Sequence, residues 1–82
     1  MKLNELTVAG HEGANLLVTH TGRKGERTYR VERDESGAVQ EIKVHVTKVH
    51  GRGHPVDYWK RVRPGSRPRA ILREFATEHA EP

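Results

Sequence analysis

The fold is determined mainly by residues 28–49, which read TYRVERDESGAVQEIKVHVTKV. Apolar and polar residues alternate on both sides of the central DESG segment, and this period of two is typical of half-buried β-strands. The DESG segment has the composition of a tight turn, in which Gly37 tolerates a positive φ. We therefore predict a β-hairpin. Val39 and Val49 leave the alternating phase of its second strand, and a bulge near either end of that strand would accommodate them.

The flanking sequence adds further strands and one helix. Residues 16–20 are rich in β-branched and apolar side chains, and residues 56–62 alternate again, so both are predicted strands. Residues 3–9 fit either an edge strand or a helical turn, and residues 10–13 have the composition of a turn. Near the end of the chain, apolar and aromatic positions recur at helical spacing: Ile71, Leu72, Phe75, Ala76 and His79. A helix is therefore predicted over residues 67–79, which has a proline in its first turn.

These elements predict a single α+β domain spanning residues 1–82. One apolar sheet face needs a cover, and one amphipathic helix is present to provide it. We expect a small antiparallel β-sheet of three to four strands with the C-terminal helix packed across one face. The predicted core consists of Leu17, Tyr29, Val31, Ile42, Val44, Val46, Val62, Ile71, Leu72 and Phe75. The uncovered face is predicted to carry Arg30, Lys43, His45, Trp59, Arg61 and Arg63.

Positive charge is concentrated in one segment of the chain. The whole chain has a net charge of +4, and residues 1–47 hold seven Lys or Arg against seven Asp or Glu. Residues 48–73 hold eight Lys or Arg against Asp57 alone, and residues 74–82 add three Glu. Segregation of this kind indicates an anionic partner, although a solvated basic face would also keep the protein soluble.

The basic segment predicts a nucleic-acid-binding surface. Lys and Arg attract phosphates independently of base sequence, and an aromatic ring on a sheet can stack on unpaired bases. Trp59 fits that role, although it could equally be the largest residue of the core. The predicted nucleic-acid-binding residues are Arg30, Lys43, Arg52, Trp59, Lys60, Arg61, Arg63 and Arg67.

Catalytic and metal sites have little support in the sequence. His45, His50 and His54 lie close together before Asp57, but their spacing matches no familiar zinc site and cysteine is absent. We predict no metal, no cofactor and no catalytic residue. Residues 29–58 resemble the closing hairpin of RelE-type toxin ribonucleases through Tyr-Arg-Val, His-Gly-Arg and Asp-Tyr segments. The N-terminal helices of that family have no counterpart here, so membership does not follow.

Three functions remain open at this stage. The first is a small, basic, non-enzymatic nucleic-acid-binding accessory protein, of the kind that phages and mobile elements carry. The second is an inhibitor or adaptor that docks an Arg-rich face on an acidic surface of a larger nucleoprotein machine. The third is a small metal-free ribonuclease.

The sequence also predicts the cellular location of the protein. No apolar run approaches the ~20 residues of a membrane span, and the start of the chain has no apolar stretch of signal-peptide length. We therefore expect a cytoplasmic protein without a membrane partner, and the oligomeric state is left open.

Overall fold

A computed structural model describes residues 2–23, 25–48 and 53–79. A short 3-10 helix is followed by five strands and one α-helix: Leu3–Glu5, then β1 (Leu6–Glu12), β2 (Asn15–Gly22), β3 (Gly25–Arg33), β4 (Val39–Lys48) and β5 (Val56–Arg61), then α1 (Arg67–Glu78). The strands form one antiparallel sheet in chain order, so β1 and β5 are its edges. No helix in these described ranges is long and apolar enough to cross a membrane.

The predicted α+β class is confirmed, but the sheet has five strands instead of three to four. The additional strand is β1, which continues through residues 10–12 of the predicted turn, so the chain reverses only at the end of that segment, at Gly13, which has a φ of +61°. A register shift between Val8 and Gly10 interrupts the pairing of β1 with β2. Because β1 is an edge strand that buries only Leu6, its sequence lacks a clear apolar alternation.

The β3–β4 hairpin forms at the predicted turn. The Asp34 carboxylate accepts hydrogen bonds from the Ser36 backbone N–H (2.9 Å), the Ser36 hydroxyl (2.6 Å) and the Ala38 backbone N–H (3.0 Å). Gly37 has a φ of +88°. The register shifts at the start of β4, and this bulge packs Val39 against the core, as its phase predicted. Val49 lies outside the described residues.

The core lies between α1 and one face of the sheet. It consists of Leu6, Leu16, Val18, Tyr29, Val31, Ile42, Leu72, Phe75 and Ala76. The prediction of Leu17 as a core residue is wrong, because β2 pairs Leu16 with Val31 and thereby points its neighbour to the opposite face. Three of the predicted core residues are only partly buried and pack around this core: Val44, Val62 and Ile71. Val46 is also only partly buried.

The predicted C-terminal helix is present as α1. It begins after Ser66, whose side chain accepts a 3.4 Å hydrogen bond from the Arg69 backbone N–H and so caps the helix. Leu72, Phe75 and Ala76 are its buried residues. The helix contacts β3, β4 and the 3-10 helix, and this placement leaves the β5 side of the same sheet face accessible.

Candidate functional site

The residues predicted to bind nucleic acid are divided between the two faces of the sheet. The face opposite α1, called the open face below, carries four of them: Arg30, Lys43, Trp59 and Arg61. Lys60 pairs with Val44 and therefore lies on the helix side. Arg63 and Arg67 follow β5, and Arg52 lies outside the described residues. Strand alternation places Lys60 on the helix side, because its two neighbours in β5 lie on the open face.

The cations of the open face are paired with carboxylates of the same face. Arg30 lies 2.9 Å from Glu32, and the Lys43 ammonium lies 3.3 Å from the same carboxylate. Arg61 pairs with Glu41. The sequence could have indicated these ion pairs, because each carboxylate is two residues from one of these cations on the same strand and therefore lies on the same face. The open face therefore offers phosphates a largely compensated surface.

Trp59 is held within the open face. The Arg30 guanidinium lies over its ring, 4.6 Å from the centroid, and the His45 ring lies 5.3 Å away at an angle of 60°. Nε2 of His45 is 3.6 Å from the Asp57 carboxylate, which also accepts a 2.7 Å hydrogen bond from the Thr47 hydroxyl. Trp59 thus already makes a cation–π contact with Arg30 of β3, across the intervening strand β4, and is only partly exposed.

A second group of cations lines a groove on the helix side of the sheet. It lies between the β4–β5 strand pair and the start of α1 and has a volume of about 700 Å³. Arg61, which pairs with Glu41, borders the groove. Four other exposed cations, called the groove cations below, also line it: Arg27, Lys48, Lys60 and Arg63. None of them lies within ion-pair distance of a carboxylate in the described part of the chain. No Asp or Glu is among the described residues that line the groove.

Strand register explains the composition of this groove. Tyr29, Val44 and Lys60 form one row across three strands, and Val46 pairs with Tyr58 in a second row. Tyr29 is buried in the core, whereas Tyr58 is only partly buried. The rows therefore continue the apolar face of the sheet beyond the helix, and at the edge strand β5 the first row ends in Lys60 and the second in Tyr58. We refer to this surface as the basic groove.

The predicted binding residues did not include two of the groove cations, Arg27 and Lys48, or the partly exposed aromatic residue Tyr58. The signal for Arg27 was its position two residues before Tyr29, which places both on one strand face. Tyr58 and Lys60 share a face for the same reason. The sequence does not show that these residues share one groove, because the groove depends on how much of the sheet face α1 covers.

The charges of α1 are reversed relative to its dipole. Arg67 and Arg69 lie in the first turn, which has no acidic residue, and the last turn ends with Glu78 and has no basic residue. The positive end of a helix dipole favours anions and disfavours cations by about 0.3–1 kcal/mol each. Ser66 and Pro68 line the basic groove, so this electropositive helix end borders it. An anionic ligand there would relieve the unfavourable arrangement.

Two carboxylates whose pKa values are lowered have structural roles outside the groove. A side-chain hydrogen bond from His20, at 3.1 Å, is the main cause that lowers the pKa of Glu5. The Ser36 hydroxyl and nearby backbone N–H groups lower the pKa of Asp34. The first carboxylate ties the 3-10 helix to β2, and the second closes the β3–β4 hairpin.

The histidine cluster considered as a metal site is not assembled in the described ranges. His45 faces Asp57, His54 is exposed before β5, and His50 lies outside these ranges. No three His, Asp or Glu side chains converge there. Since His50 is not among those residues, the absence of a metal site stays a prediction. Comparison with known proteins gives no match to this chain among family models, curated proteins or solved structures.

Proposed function

We propose that this protein binds nucleic acid without catalysing a reaction, and that the basic groove is its interface. The observation that carries the proposal is the set of four groove cations, which surround an open depression that no described carboxylate lines. Phosphate groups release condensed counterions when Lys and Arg replace them, and this supplies affinity without sequence recognition. The proposed interface therefore lies on the helix side of the sheet, whereas the residues predicted from the sequence include four on the open face.

A polyanion fits this groove better than a small anion. The groove cations come from β3, β4, β5 and the connection to α1, so four separate segments each contribute one cation to the groove. Such an arrangement suits a chain of phosphates, each of which meets one or two cations. The reversed charges of α1 extend the positive surface past Ser66 to Arg67.

Binding alone accounts for the chemistry of the groove. His45 is the one imidazole that borders it in the described ranges, and its Nε2 faces Asp57 on the open face. The remaining polar groups of the groove are cations and hydroxyls suited to contacting phosphate oxygens. These groups bind charge and shape, and they require no reaction at the bound strand.

The test is a salt titration of nucleic-acid binding by two matched double variants. Lys60→Gln with Arg63→Gln removes two groove cations, and Lys43→Gln with Arg73→Gln removes two cations elsewhere, so both lower the net charge by two. Fluorescence anisotropy with labelled DNA and RNA measures affinity between about 50 and 200 mM salt. We expect the groove variant to reduce the log–log salt slope by about two and the control variant to leave it nearly unchanged.

Two results would contradict the proposal. Equal losses in both double variants would mean that net charge, and not the groove, drives association. No binding by the unaltered protein below about 100 μM, the weak limit of non-specific association, would favour the alternative of an acidic protein partner. Thermal melting of each variant checks folding, because surface substitutions of this kind shift stability by only about 0.5 kcal/mol.

A further inference from the structure

Resting on the proposed function, we infer that the basic groove takes single-stranded nucleic acid and that Tyr58 is the platform on which a base stacks. The first step is shape. The groove cations line a depression between two strands and a helix end, and its volume of about 700 Å³ lies in the range of pockets that enclose small organic groups. Proteins that read duplex DNA instead insert a protruding helix or β-ribbon into a groove about 12 Å wide.

A single strand can use such a depression and a rigid duplex cannot. Unpaired bases turn away from their backbone and enter a recess, while the phosphates remain at its charged walls. The paired bases of a duplex stay inside the helix, so only its outermost phosphates would meet the rim. β5 is the edge of the sheet, which leaves the groove open along one side for a strand to enter and leave.

The second step identifies the stacking residue. Three aromatic side chains belong to the β3 and β5 strands: Tyr29, Tyr58 and Trp59. Tyr29 is 5% exposed and belongs to the core, and Trp59 lies on the open face under the Arg30 guanidinium. Tyr58 remains partly exposed and lines the groove, two residues from Lys60 on the same strand face. It therefore combines an accessible aromatic ring with a neighbouring cation, as single-strand binding surfaces do.

The experiment compares three substitutions of Tyr58 on three probes. Tyr58→Phe keeps the aromatic ring, Tyr58→Leu keeps apolar packing against Val46 without an aromatic ring, and Tyr58→Ala removes both. The probes are single-stranded oligo-dT, single-stranded oligo-U and a DNA duplex with the same number of phosphates. Anisotropy titrations at several salt concentrations give the affinity and the salt slope, and thermal melting confirms that each variant is folded.

We expect the unaltered protein to bind both single strands, or one of them, more tightly than the duplex. Tyr58→Leu and Tyr58→Ala should weaken single-strand binding about tenfold with an unchanged salt slope, because stacking involves no counterion. Tyr58→Phe should stay within about twofold of the unaltered protein. The Lys60→Gln, Arg63→Gln variant should show the opposite pattern, with a reduced slope.

The outcomes separate this inference from the proposed function. Duplex binding as tight as single-strand binding would overturn the inference and leave the groove as a nucleic-acid interface. An affinity unchanged by Tyr58→Leu, alongside a reduced slope in the Lys60→Gln, Arg63→Gln variant, would do the same. If none of the three probes binds, the proposed function fails together with the inference.

Discussion

Substitution of Arg67 by Glu should make the free protein more stable and its binding to nucleic acid weaker. Arg67 is the first residue of α1, it is exposed, and it lies at the positive end of the helix dipole. Arg67→Glu removes one unfavourable cation and adds one favourable anion. Each change contributes about 0.3–1 kcal/mol at low ionic strength, so their sum is about 1 kcal/mol.

That free energy corresponds to a measurable thermal shift. For a domain of 60–100 residues, ~1 kcal/mol raises Tm by about 4–8 °C. Circular dichroism melting near 20 mM salt should show this increase for Arg67→Glu, and added salt should reduce it because the charges are exposed. In the anisotropy titration the same variant should lower the salt slope by about one for the lost phosphate contact.

Glu78→Lys is the matched control at the other end of α1. It improves the charge pattern of the same helix, because Lys near the negative end of the dipole is favourable. It should therefore raise Tm by a similar amount without weakening nucleic-acid binding. A lower Tm for Arg67→Glu at low salt would refute the reasoning, and so would a full retention of its salt slope with Tm raised. In the first case the helix dipole does not dominate at this position, and in the second Arg67 does not contribute to the interface.

Two further predictions concern the scaffold. Phe75→Ala should lower the free energy of unfolding by about 3–5 kcal/mol in urea titrations, because Phe75 is 5% exposed and packs in the core; a loss below about 1 kcal/mol would show that the site collapses or was never filled. Asp34→Ala should lower Tm at pH 7 and have a smaller effect near pH 2. The folded-state pKa of Asp34 is lowered, so its contribution is present above the ordinary value and declines as pH falls below about 4. Asp34→Asn should remove this pH dependence, and an equal Tm deficit for Asp34→Ala at both pH values would contradict the assignment.

Local sequence determined the hairpin and the helix of this protein. The DESG turn satisfies its own hydrogen bonds through Asp34, and α1 begins at a Ser cap followed by a proline. Both elements depend on residues within a few positions of each other, which is why periodicity and turn chemistry were sufficient to predict them.

Strand pairing determined what the sequence alone left open. Leu16 and Leu17 cannot be distinguished by composition. The pairing of Leu16 with Val31 places Leu16 in the core. β1 is recognisable as a strand mainly through its pairing with β2, since one buried leucine gives too weak a pattern. A shift of one residue exchanges the two faces of a strand, so distant partners decide between them.

The same distinction between local sequence and tertiary structure applies to the candidate site. The sequence by itself determined that residues 48–73 are strongly basic and that Trp59, Lys60 and Arg61 are adjacent. Only the tertiary structure decided which cations remain available, because it places Arg61 beside Glu41 and Lys60 in a groove lined by no described carboxylate. The physical reason is that charge adds along the chain, whereas electrostatic compensation depends on distances of a few ångströms across strands and on the limited length of the helix that covers one face.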